Sequence, residues 1–121
     1  MNEYKIILDK ERKLKYSNRS FMELEKRLGK SIVSIFTEAV GLSPQEQQKK
    51  LVSTFSNGQF ISDFVYCGLL HEGELTYDQV IDLLSPSRYM ELMALALEVL
   101  PLEFGLTAPK VDKKKVNLKV A

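Results

Sequence analysis

QFISDFVYCGLL, residues Gln59 to Leu70, is the stretch around which the other elements must be arranged. Wound as an α-helix, it places Phe60, Ile61, Phe64, Val65, Gly68 and Leu69 on one broad face, because residues three and four apart stack along the axis. Gln59, Ser62, Asp63 and Tyr66 fall on the other side. A face with two phenylalanines and several aliphatics is too apolar to leave in water, so the helix should lie centrally with others packed over it. Gly68 is costly within a helix and makes sense where a neighbour crosses closely.

The rest of the chain bounds what can surround this helix. Its 121 residues allow one domain with a single core. With 45% hydrophobic and 27% charged residues it has the composition of a globular protein. No run approaches the roughly 18 apolar residues of a membrane span. The N-terminal MNEYKIILDKERK breaks its short apolar patch with charge, so no signal peptide is expected. The single cysteine cannot form an internal disulfide, which fits a reducing cytoplasm.

A net charge of +1 conceals three blocks. Residues 1–50 hold 11 Lys/Arg against 7 Asp/Glu, residues 51–105 hold Arg88 against 8 acids, and residues 106–121 hold 5 lysines against Asp112. Such asymmetry is either a set of solvated faces or a means of steering association.

Upstream, Tyr4, Ile6 and Leu8 alternate, Asp9–Arg12 form a polar connection, and Lys13–Tyr16 alternate again, which predicts a β-hairpin. Ser20 and Glu23 have capping-box spacing for a first helix carrying Phe21, Leu24 and Leu28 and stopping at Gly29. Ser31–Val40 reads as a short helix, its β-branched content leaving a strand open. Ser43-Pro44 starts a third helix, which carries Leu51, Val52 and Phe55 and breaks at Asn57-Gly58.

Downstream of the central helix, Thr76 and Gln79 box the start of a helix burying Val80, Leu83 and Leu84. Ser85-Pro86 opens the last one. There Tyr89, Leu92, Met93, Ala96, Leu97 and Leu100 form a stripe at helical spacing. A second apolar face comprises Met90, Ala94, Leu95 and Val99; it is either enclosed within the monomer or meets another protein. Pro101 and Gly105 close the folded part. The fold class is therefore mainly α with a small N-terminal β-hairpin (α+β): a compact bundle of about five to six short helices over residues 1–105. Residues 106–121 are read as a flexible basic tail, in which Val116–Val120 alternates and could add a strand to a partner's edge.

Chemistry is hard to place. Cys67 and His71 share helical spacing, but a nucleophilic pair needs an activated, exposed thiol and an orienting third group, and a structural zinc site needs four ligands. A buried cysteine and a surface histidine explain the pair as well. Phosphate-loop, hydrolase-elbow and dinucleotide motifs are absent from the sequence. No cofactor, metal or catalytic residue is expected. The pair Thr76–Leu84 and Pro86–Leu100 could pass for a helix-turn-helix, but its second helix offers a groove only Arg88 beside Glu91 and Glu98.

The order of these elements carries more information than any one of them. Leu24-Glu25 with Leu28-Gly29, Gly68-Leu69, and Leu75-Thr76 with Val80 and Leu83-Leu84 occur in an arrangement, from about Tyr4 to Leu100, that resembles the small tail assembly chaperones of long-tailed (siphovirus-type) bacteriophages and their relatives in gene transfer agents. The resemblance implies a non-enzymatic protein of the bacterial host cytoplasm, absent from the finished virion, in a family whose members are often oligomeric. Its implied partners are the tape measure protein and the tail tube protein, with self-association and neither a membrane nor a specific nucleic acid. Family members are often also made in a longer, frameshifted form, of which this chain would be the short one. A tape measure protein exposes long apolar helical stripes before the tube encloses it, and a surplus apolar face could cover them. Met90, Ala94, Leu95 and Val99, followed by Leu102 and Phe104, are the candidate protein-binding residues. The competing readings are a generic helical adaptor and, more remotely, a small DNA-binding regulator.

Overall fold

Strand β1 (Tyr4–Ile7) and strand β2 (Glu11–Leu14) pair antiparallel, and six helices follow: α1 (Asn18–Leu28), α2 (Ile32–Ala39), α3 (Pro44–Phe55), α4 (Gly58–Gly68), α5 (Tyr77–Leu83) and α6 (Tyr89–Glu103). The structure is a computed structural model that describes residues 2–106. The sequence reading of residues 107–121, including a strand over Val116–Val120, falls outside them.

Helices α1 to α5 begin where the sequence offers a side-chain oxygen to a free backbone N–H, whereas α6 starts at Arg88 without a side-chain cap. Ser17, Ser31, Ser43, Asn57 and Thr76 cap α1 to α5. The first of these differs from expectation. Ser17, not Ser20, is the cap; Ser20 is buried at the third helical position and closes the box back onto the Ser17 N–H. Glu23 is freed from capping and pairs with Arg27 at 2.8 Å. At the far end, Pro101 does not end the chain's last helix but sits buried inside it. The stop is Gly105, whose φ of 66° lets Leu106 N–H reach Pro101 C=O and Gly105 N–H reach Leu102 C=O.

Helix α4 is the centre of the core. Phe55, Phe60 and Phe64 form a run of rings, Phe55–Phe60 at 4.6 Å and Phe60–Phe64 at 5.8 Å, extended by Phe36 and Tyr16. Helices α1, α5 and α6 pack on α4; α3 bridges α2 and α6. This enclosure is more complete than the sequence implies. Ser62 and Asp63, assigned to the polar side, are both buried, because α1 and α5 close over that side as well.

Gly68 is where the hairpin docks. Lys15 N–H donates to its carbonyl at 2.9 Å, and the buried Tyr16 hydroxyl donates to Phe64 C=O one turn earlier at 2.7 Å. The polar connection expected over Asp9–Arg12 is placed differently, with Glu11 and Arg12 inside the second strand. The hairpin's strands are joined through Leu8, Asp9 and Lys10, so Arg12 belongs to β2, opposite Ile6, on the buried face with Leu14. At 4% exposure the Arg12 guanidinium is nearly sealed, and Asp9, Glu72 and Glu74 surround it. In α5 only Val80 is fully buried; Leu83 is exposed and Leu84 half-buried, since this short helix lies at the edge of α4.

Candidate functional site

Helix α6 is apolar nearly all round, and its packing divides the candidate residues. Leu92, Met93, Ala96, Leu97, Val99 and Leu100 face the core. Val99 is 0% exposed, so its place on a partner-binding face is corrected: it lies three and seven residues beyond Ala96 and Leu92 and continues their inner stripe. Ala94 and Leu95 are half-buried. Met90 and Leu102 remain open to solvent, at 50% and 59%. Phe104 is half-buried, edge-on against Phe21 at 4.6 Å.

The exposed Met90, Glu98 and Leu102 follow one spiral line with the half-buried Ala94, each four residues from the next. At 1.5 Å per residue the line runs roughly 18 Å. Two large apolar side chains bracket an exposed carboxylate at Glu98. That pattern suits an amphipathic helix laid alongside, with apolar anchors at both ends and a cation between them.

The hairpin fixes both ends of α6. The Arg88 guanidinium donates to Ile7 C=O and pairs with Glu91 at 2.9 Å at the helix start. At its end Glu103 accepts from Tyr4 Oη at 2.7 Å and Asn2 Nδ2 at 2.9 Å. Burial, reinforced by the Glu103 carboxylate, pushes the Tyr4 phenol up to about 12. Arg88 also brings Ile7, 56% exposed, to the start of the helix. Sequence reading missed Ile7, although its outward place in the Tyr4–Leu8 alternation, beside two inward apolar residues, was a signal.

No protein-family model, curated protein or solved structure matches the chain. The site therefore has to be judged on its own chemistry. Cys67 is buried, which pushes its thiol up to about 12, and His71 sets Nε2 2.7 Å from Lys13 C=O. Among the described residues no group of three or more His, Cys, Asp or Glu could hold a metal ion. No helix there is long and apolar enough to cross a membrane.

A second polar cluster, also unforeseen, ties three helices together. The Arg27 guanidinium of α1 lies over Tyr66 of α4 at 4.9 Å and Tyr77 of α5 at 4.5 Å. It reaches the buried Asp63 carboxylate at 3.5 Å, which Gln59 Nε2 also meets at 3.2 Å. Burial and then Asp63 push the Tyr77 phenol up. Every polar group in this cluster has a partner, and its work is cohesion.

Proposed function

We propose that the protein is a phage tail assembly chaperone that holds the tape measure protein in soluble form and helps recruit tail tube subunits around it. One observation carries the reading: the Met90–Leu102 line on α6, where two exposed apolar side chains stand on one face of the longest helix among the described residues. The element order, a hairpin followed by six short helices, supports it, as do the residues from Tyr4 to Leu100 that resemble this family. A client helix would lay its apolar stripe over Met90, Ala94, Leu95 and Leu102 with a basic residue toward Glu98. Because such binding ends when the tube encloses the client, the chaperone would act in the host cytoplasm and be missing from the virion.

The test is co-purification with a co-expressed phage tape measure protein. Exchanging Met90 and Leu102 for Asp removes both anchors, and a loss of about 3 kcal/mol would weaken binding about a hundredfold. The helical spectrum should not change, since both side chains are exposed. Retained binding would remove the reading. Equal binding of unrelated amphipathic helices would instead mark a general adaptor.

A further inference from the structure

A groove of about 340 Å³ lies between the start of α1 and the end of α6, lined by Tyr16, Asn18, Phe21, Glu25, Glu103 and Phe104. Its wall is aromatic: Phe21 stacks on Tyr16 at 5.3 Å and stands edge-on to Phe104. Its two carboxylates are half-buried and only partly used. Glu25 accepts the Ile32 N–H at 2.7 Å through Oε2, and Glu103 takes Tyr4 and Asn2 through its own Oε2. Among the described residues neither has a lysine or arginine nitrogen within ion-pair distance. Ring faces together with unneutralised carboxylate oxygens in a recess form a seat for an ammonium group.

Such groups follow closely in the sequence. Phe104 lines the groove, the backbone turns at Gly105, and Lys110, Lys113, Lys114 and Lys115 follow. Lys110 is four positions beyond Leu106, a reach of up to about 13 Å, enough to return to a recess that the preceding Phe104 lines. We propose that this groove seats a lysine ammonium from residues 110–115 of the same chain. An exposed ion pair alone is weak, but so short a tether supplies the ammonium at roughly millimolar effective concentration, ahead of a second copy in dilute solution. The seat does not depend on the tail assembly reading.

Zero-length carbodiimide coupling of the full chain tests this, using an equal mixture of unlabelled and ¹⁵N-labelled protein followed by peptide mass spectrometry. Amide links from Glu25 or Glu103 to lysines 110–115 should appear within single chains. The tether and seat together should raise their yield at least about fivefold over links from the exposed Asp78, Asp82 and Glu98. Equal yields at all five acids, or links between differently labelled chains, would overturn the proposal. A full-length variant with Lys110, Lys113, Lys114 and Lys115 changed to Gln gives a second readout. The Phe21 and Phe104 ring protons should shift in its NMR spectrum, and unchanged rings would also overturn it.

Discussion

A methyl group on Gly68 would lie 2.7 Å from the Tyr16 hydroxyl and 2.9 Å from Leu14 Cδ2. A side-chain tip can usually move aside, but Tyr16 is stacked between Phe21 and Phe64 and bonded to Phe64 C=O. Gly68→Ala therefore sets a helix-propensity gain of about 1 kcal/mol against an overpacking cost of about 1–3 kcal/mol. Overpacking should win, by about 1 kcal/mol or more in urea unfolding. Tyr16→Phe in the same background should recover part of the loss, since it removes the nearest atom. A Gly68→Ala protein more stable than the parent would show that the hairpin yields there. This close approach was legible in the sequence, because a glycine inside a strongly apolar helix needs a reason. The identity of the crossing residue was not, since Tyr16 is 52 positions away.

At the scale of an element, the hairpin is the part the sequence described least well. Alternation showed that two strands were present, but a loop without an Asn-Gly signal left their register open. The cost is visible at Arg12, a residue that reads as loop and is in fact the hairpin's buried bolt to the α4–α5 connection. Its hydrogen bond holds the Asp9 carboxylate at about 2, against an ordinary 3.8. A carboxylate depressed in this way binds fewer protons folded than unfolded, so its contribution is complete above about pH 4. The contribution then fades as pH falls toward 2. Arg12→Leu should lower the urea midpoint at pH 6, and its deficit relative to the parent should shrink as pH is taken from 4 to 2. A deficit independent of pH would assign Arg12 a packing role alone. The same misreading of an interior position applies to Asp63, where helical periodicity located one apolar face but could not show that α1 and α5 would cover the other.

For the whole molecule, the three charge blocks become a statement about assembly of the fold. The first block supplies Arg12 and Arg27, and the acidic middle supplies Glu72, Glu74 and Asp63 to meet them. Arg88 takes Glu91 locally. Part of what looks like a field for steering partners thus joins the N-terminal third to the rest. Asp78, Asp82 and Glu98 are the exposed remainder without a cationic partner among the described residues. The two sets should respond differently to neutralisation. Changing Asp78 and Asp82 to Asn and Glu98 to Gln should leave unfolding free energy within about 0.5 kcal/mol of the parent. Asp63→Ala removes one of the acceptors of Gln59 Nε2, which keeps Tyr77 Oη, and loosens Arg27 from its place over Tyr66 and Tyr77, costing about 1–3 kcal/mol. Hydrogen exchange locates the damage: amides of α1 and α5 should lose protection first, while the Phe60–Phe64 segment of α4 opens only with the whole molecule. Uniform loss of protection across all six helices would mean that the Arg27–Asp63 cluster belongs to the global core. Protection lost only in α5 would reduce it to a local clasp, and either pattern would break the link drawn here between charge order in the sequence and the docking of one segment on another.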